Sequence, residues 1–415
     1  MSGARTLDVR IQGQRVGHLV AAGGRVGLRL SDAWRGRPDR QVLSLSLEET
    51  DLADLPARPR LPAFFDNLLP EGELRSWLLA SEHLPDRDLD LLARLGGDLF
   101  GAVTLEAVED ETPLHDDASD APAPRQSPAD GQVHWSLAGV QLKLNLRLEG
   151  ASLTLPVRGQ AGTFIAKLPD RRFAGVPETE HATMSWAAAS GIDVAPTELL
   201  DPARIVDLPP GLASSDEPAI LVRRFDRSED GSARIHCEEF AQAMSVPAAD
   251  KYQGNGFAHQ LKLVQLVCPQ DVGDYLRRLL FVVLSGNADA HHKNWAMRYP
   301  DGRRPRLAPA YDQVAIVRWS MEDRTLRDQL PFKLGFGRRF EQVHLSSFLA
   351  LLDRVGVESF SHEEAVVRRA QAERWLRDQA RQILDNRGVA DRLGGAALAS
   401  ALDRHQARVP LVREL

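Results

Sequence analysis

An apolar run, Tyr275–Leu284 (YLRRLLFVVL), leads without a break into Ser285-Gly286-Asn287-Ala288-Asp289-Ala290-His291-His292-Lys293-Asn294. No other stretch constrains the fold as tightly. The run reads as a buried helix, so the polar loop it delivers lies beside the interior, where charged groups are tolerated only with partners. A second apolar stretch, Arg306–Val317 (RLAPAYDQVAIV), contains Tyr311-Asp312, and Asp312 needs a cation or a donor for the same reason.

Asp289 and Asn294 are separated by four residues, and Asp312 follows. This is the order in which a phosphotransferase places a hydroxyl-orienting carboxylate, a metal-binding Asn and a metal-binding Asp. Phosphoryl transfer asks mostly for positioning, so Asp289 is the candidate catalytic base and Asn294 and Asp312 are candidate Mg²⁺ ligands. Hard oxygen donors suit Mg²⁺, which takes one or two carboxylates and completes its shell with water and phosphate oxygens. The spacing alone equally fits a capped turn between helices; the apolar runs on either side favour the site.

The order of periodicities fits that reading. Residues 6–47 alternate apolar and polar side chains in runs (LDVRIQ, RVGHLVA, RVGLRL, VLSLSL) broken by turns, which predicts a small antiparallel sheet. Helical patterns follow at Pro62–Leu79 and Asp86–Leu95, then a strand at Gly101–Leu105. Residues 107–131 are rich in Asp, Glu, Pro, Ala and Ser without periodicity and read as a linker or solvated loop. Strands are expected at Gln141–Leu148, Ser152–Val157, Thr163–Leu168, Thr197–Leu200 and Ala219–Arg224, with a helix over Glu178–Ser190. From about Ile235 the chain reads as helical: Cys237–Met244, Phe257–Val267, Val272–Leu284, Leu345–Val355, His362–Leu384 and Val389–Arg404. The expected fold is α+β: a protein-kinase-like two-lobed structure with a mixed nucleotide lobe (132–227), a mostly helical C-terminal lobe (228–415), and a small N-terminal β-rich domain (1–106).

Such a site needs a phosphate cradle and a lysine. Ser136-Leu137-Ala138-Gly139-Val140-Gln141-Leu142-Lys143 opens the strand section where a cradle belongs, although its single Gly equally suits a polar hairpin turn. Lys167 ends the apolar run Phe164-Ile-Ala-Lys and is the natural phosphate lysine; an edge-strand lysine is the alternative. Glu180 is the preferred helix carboxylate to hold Lys167, with Glu178 competing. Arg223-Arg224-Phe225-Asp226-Arg227 reads as an adenine hinge or as a salt-bridged turn.

Composition narrows the partners. At 415 residues the chain is long enough for two or three domains, and its net charge of −7 argues against the whole surface being a nucleic-acid platform. Two cysteines, Cys237 and Cys268, describe neither a disulfide framework nor a thiolate metal site. The N-terminus lacks signal-peptide character and no apolar stretch reaches membrane-spanning length, so a cytoplasmic location and no membrane partner are expected.

With these residues in hand, the chain resembles the HipA family of serine/threonine kinase toxins from type II toxin–antitoxin pairs. The matching segments are FFDNLLPEG (Phe64–Gly72), GGDLFGAV (Gly96–Val103), SLAGVQLKL (Ser136–Leu144), FIAKLP (Phe164–Pro169), RRFDR (Arg223–Arg227), GNADAHHKN (Gly286–Asn294) and LAPAYD (Leu307–Asp312). The resemblance implies an ATP- and Mg²⁺-dependent kinase that phosphorylates a translation factor such as an aminoacyl-tRNA synthetase and arrests growth. It implies that Asp289 is the base, Asn294 and Asp312 bind Mg²⁺, Lys167 meets the phosphates, and Ala138, Gly139, Val140, Gln141, Leu142 and Lys143 form the phosphate loop. It places Arg223, Arg224, Phe225, His291, Lys293 and Tyr311 around the nucleotide, and makes Ser136 the autophosphorylation site. A phosphate there would repel the incoming nucleotide and switch the enzyme off. It also implies a small helix-turn-helix antitoxin like HipB as partner, with operator DNA met mainly through that antitoxin.

Three positions depart from the family pattern: Ala288 stands where Thr is usual, Thr179 where Asn is, and Arg223 where the hinge begins with Glu. Two alternatives come from other classes: a small-molecule phosphotransferase sharing the Asp-x4-Asn logic, and a non-catalytic co-repressor bound to the antitoxin.

Overall fold

The computed structural model describes residues 6–81, 86–108, 143–149, 152–154, 162–170, 172–206, 208, 217–254, 256–323, 325–356 and 365–415. The first part is a five-stranded antiparallel sheet whose strands lie in the order Leu55–Arg58, Arg25–Leu30, Gln14–Ala22, Thr6–Ile11, Val103–Ala107. Alternation fixes its register: Leu7 pairs with Leu19 and Leu19 with Leu28, all fully buried. That face is covered by Trp34, Phe64, Phe65, Leu91 and Leu92, giving a core separate from the rest of the molecule.

One expected strand is not formed. The last three residues of VLSLSL and the following Glu48 make a single helical turn, Leu45–Glu48. Serine at every second position satisfies a strand pattern, but here the Ser44 hydroxyl and Leu45 N–H donate to the Glu238 carboxylate, at 2.7 and 3.0 Å, instead of to a neighbouring strand. The Pro62–Leu79 helix is likewise two pieces, Ala63–Asp66 and Gly72–Ser81, parted at Pro70-Glu71.

A second sheet has six strands in the order Ile205–Val206, Ser152–Thr154, Lys143–Glu149, Phe164–Lys167, Ala219–Arg223, Thr197–Leu200. Helix Val176–Ala189 leaves this sheet and packs into the helical part, where the Trp186 indole donates to the Ile383 carbonyl at 2.7 Å. The helical part holds the largest core, built on Gly256–Val267, Val272–Ser285, Leu345–Val355, Ala365–Asp385 and Gly388–Arg408. Here too one expectation is corrected: Cys237–Met244 is not one helix. His236–Glu239 is a strand paired with Ala296–Tyr299, and only Phe240–Ala243 is helical. Glu238 owes this to its partners, since its carboxylate collects Ser44, Leu45 and the Tyr299 hydroxyl, which a helix would point elsewhere.

Candidate active site

Two lysines set the floor of the site. In the antiparallel pair of strands Lys143–Glu149 and Phe164–Lys167, Lys143 and Lys167 are direct partners, so their side chains share one face. Like charges placed opposite each other are unfavourable unless something sits between them, and Asp312 does: one carboxylate oxygen is 3.0 Å from the Lys143 ammonium, the other accepts from Lys167. Lys167 is also bonded to Glu180, which is buried on helix Val176–Ala189. Burial alone would lower the Lys167 pKa, but Asp312 and Glu180 reverse that and hold the ammonium charged. Burial alone would likewise raise Asp312, whereas Lys143 and Lys167 bring it well below the usual carboxylate range. Asp312 takes a left-handed backbone conformation, φ +52°, which short polar residues tolerate better than other side chains.

The loop after Val272–Ser285 is held by its own side chains. Gly286, at φ +69°, ends the helix in a left-handed turn, and Asn287 N–H returns to the Val282 carbonyl at 3.0 Å. Asn287 Oδ1 accepts from Asp289 N–H at 3.0 Å, while its amide donates to Gln313 Oε1 at 3.2 Å, tying the loop to the segment that carries Asp312. Asn294 Nδ2 donates to the Asp289 carbonyl at 2.7 Å. The Asp289 carboxylate accepts the Tyr252 hydroxyl, and the Arg327 guanidinium lies over the Tyr252 ring at 4.1 Å. Burial pushes the Asp289 pKa up; Tyr252, Lys251 and Arg327 pull it down, and Asp312, near enough to be felt, pushes it up again. His291 stands 4.0 Å from Asp289, and burial keeps its imidazole neutral. Because His291 Nδ1 accepts from Lys293 N–H at 3.2 Å, Nε2 carries the proton and faces Asp289.

Asp289 and Asn294 form one bonded pair and Asp312, Lys143, Lys167 and Glu180 another cluster, and the Asn287–Gln313 bond ties the two together. Phe225 and Tyr311 pack against each other at a tilt of 39°, ring centroids 5.4 Å apart, and the Tyr311 hydroxyl donates to the Lys293 carbonyl at 2.8 Å. Three side chains expected around a nucleotide point elsewhere. Lys293 reaches the first sheet's module, with its ammonium 2.8 Å from Glu71 and 3.1 Å from the Asn67 carbonyl. The Arg224 guanidinium is buried against Asp226 at 2.8 Å and Asp98 at 3.0 Å, an ion cluster that Arg227 completes at 2.7 Å from Asp98. Arg223 bonds the Glu229 carbonyl and lies over Phe164. The main-chain N–H groups are also engaged, Arg223 with the Pro196 carbonyl at 2.9 Å and Arg224 with the Thr163 carbonyl at 3.0 Å, and the turn at 223–227 is salt-bridged in its side chains. Ser136 and Ala138–Leu142 lie outside the described residues.

Sequence reasoning missed Tyr252, Arg327, Lys251, Glu71 and Asp98. The last two sit in FFDNLLPEG and GGDLFG, where an acidic residue inside a mostly apolar or glycine-rich run was an available signal. Tyr252, in a polar turn, offered none.

The residues present fit a hard cation. Asn294 spends its amide N–H on Asp289, which leaves Oδ1 free to ligate, and Asp312 already directs both oxygens at positive charge. Lys167 and Lys143 could supply the complementary positive charge for phosphate oxygens.

Comparison with known proteins gives the family. Residues 7–106 match the family model described as HipA N-terminal domain, and residues 135–386 match the HipA-like C-terminal domain. Two proteins of Sinorhizobium fredii, both provisionally named kinases, are similar over most of their length: Y4dM at 34% identity over 366 residues, 85% of this chain and 88% of the relative, and Y4mE at 35% over 395 residues, 87% and 86%. The serine/threonine-protein kinase toxin HipA of Shewanella oneidensis is 28% identical over 290 residues, 62% of this chain and 63% of that one. Among solved structures, a chain from the Shewanella oneidensis complex of HipA, HipB and operator DNA superposes with a TM-score of 0.72 at 20% identity, covering 98% of both chains. Its fold is shared.

Proposed function

This chain belongs to the HipA family, and from that premise we propose that it is an ATP- and magnesium-dependent protein serine/threonine kinase acting as the toxin of a HipBA-type module. One observation carries the reading: Lys167, from the sheet, is held between Glu180, from a helix, and Asp312, from a distant loop whose next residue, Gln313, is bonded to Asn287 of the Asp289–Asn294 turn.

Each residue then has a task. Asp289 accepts the proton of the attacking hydroxyl, and the Tyr252 hydrogen bond holds its carboxylate in one orientation. Lys167 and Lys143 neutralise phosphate oxygens, and Glu180 keeps Lys167 in place. Asn294 and Asp312 would hold magnesium, which supplies charge neutralisation on the transferring phosphate when bound. The Phe225 and Tyr311 rings, tilted 39° to each other, provide an aromatic wall for the base. Ser136 is the residue for self-inactivation. The partners that go with this reading are a HipB-like helix-turn-helix antitoxin, operator DNA through it, and a protein acceptor from the translation machinery. Among the described residues no helix is long and apolar enough to cross a membrane.

The test is transfer of labelled phosphate from ATP, by wild type and Asp289→Asn, to itself, to a panel of aminoacyl-tRNA synthetases and to aminoglycosides. Transfer to protein serine or threonine by the wild type alone supports the reading. Transfer only to the small molecules, or equal transfer by the mutant, sinks it.

A further inference from the structure

The loop carrying Asp289 and Asn294 is anchored from outside the helical part through Lys293, which meets the Glu71 carboxylate and the Asn67 carbonyl. Glu71 lies between Pro70 and Gly72, the latter at φ +58°, in the break separating helix Ala63–Asp66 from helix Gly72–Ser81. The segment before it is docked on the helical part: Gln242 donates to the Phe64 carbonyl at 2.9 Å, Asn67 donates to the Val246 carbonyl at 2.8 Å, and Asp66 accepts from Ala248 N–H at 2.9 Å. Glu71 is thus presented at a fixed place.

Its two oxygens go to different segments. Oε2 is 2.7 Å from the Lys251 ammonium and Oε1 is 2.8 Å from that of Lys293. Lys251 immediately precedes Tyr252, which bonds Asp289, and the Lys251 carbonyl accepts from His292 N–H at 3.3 Å. Lys293 is the residue next to Asn294. The two chain segments that fix the Asp289 side chain and the Asn294 side chain therefore meet in one carboxylate contributed by the N-terminal module.

We propose that Glu71 is a positioning residue for phosphoryl transfer, bridging Lys251 and Lys293 so that the N-terminal module holds the Asp289–Asn294 turn in register. This rests on the kinase reading above. Without Glu71, Lys293 keeps the Asn67 carbonyl and a Glu239 oxygen at 3.8 Å, and Lys251 loses its anion, so the turn is free to shift relative to Tyr252. Displacements of the order of 1 Å at a reacting centre cost about a hundredfold in rate.

The experiment compares full-length wild type, Glu71→Gln, Glu71→Ala and Lys293→Met in steady-state transfer to the best protein acceptor. Glu71→Gln is expected to lower kcat roughly ten- to a hundredfold, with KM for ATP within about twofold because Lys143, Lys167 and Glu180 are untouched. Glu71→Gln combined with Lys293→Met should lose no more than the worse single variant, as for residues acting as one unit. Ser44→Ala, which removes the bond to Glu238 across the same two parts without touching the loop, is the control: a lower melting temperature at wild-type kcat. Wild-type kcat in Glu71→Gln overturns the inference and leaves the kinase reading standing. So does a kcat loss in Ser44→Ala that matches its loss of stability, which would make the effect general loosening. Absence of transfer by the wild type with every acceptor overturns the kinase reading and this inference with it.

Discussion

Asn294 donates its side-chain N–H to the main-chain carbonyl of Asp289 at 2.7 Å, closing the turn between the proposed base and the proposed metal ligand. The bond decides which end of the amide faces the cleft. An aspartate at the same position would offer a stronger anion but no donor, and the Asp289 carbonyl would meet a carboxylate oxygen. Asn294→Asp is therefore expected to lower kcat roughly 10–100-fold despite its extra charge, measured by phosphate transfer at saturating magnesium. Wild-type activity would show that the bond is not needed.

Tyr252→Phe tests the other support of the base. Burial raises the Asp289 pKa and the phenol's hydrogen bond to the ionised form lowers it. Removing the phenol leaves Asp289 protonated to higher pH, and a base works only when ionised. The acid limb of the kcat/KM profile should move to higher pH in Tyr252→Phe. An unmoved limb would separate Tyr252 from the titration of the base.

Gly286→Ala should destabilise the protein. A side chain at φ +69° costs about 1–2 kcal/mol by itself, and the new Cβ would lie 2.4 Å from Val317 Cγ1 in the core. Urea unfolding should show a lower midpoint with an unchanged slope.

Stability should also depend on pH through Glu238. Burial dominates its environment and raises its pKa to about 7 despite three donors. A carboxylate raised in the folded state favours folding fully below its unfolded pKa of about 4.5, and that contribution is lost as pH rises through about 7. Glu239, also raised by burial to about 7, titrates in the same window. Melting temperatures of the wild type should fall across that range, and Glu238→Gln should flatten part of the slope. An identical slope in the mutant would show that Glu238 is ionised in both states.

Much of the site was legible because its signals are local. Asp289 and Asn294 belong to one turn, Lys167 ends an apolar strand, and an Asp inside RLAPAYDQVAIV advertises a cation. Contacts assembled by tertiary folding were not. Glu71 meets Lys293 from 222 positions away, and Asp98 meets Arg224 from 126, so neither partner's role shows in its neighbours. The Arg223–Arg227 run illustrates the limit: a hinge and a salt-bridged turn share one sequence, and the answer lay in Asp98. At 45–48 and 237–244 secondary structure was misread for a related reason. There the Glu238 carboxylate, with donors from both parts of the molecule, overrode local propensity.

The lysine pair astride Asp312 has a thermodynamic corollary. Since each oxygen of that carboxylate is already matched to an ammonium group, a ligand entering the cleft swaps counter-ions rather than adding to them. On the proposed reading, phosphates would draw the lysines away and leave the Asp312 carboxylate available to hold a divalent ion. Nucleotide and magnesium would thereby be linked functions: each would raise the affinity of the other, and neither should bind well in solitude.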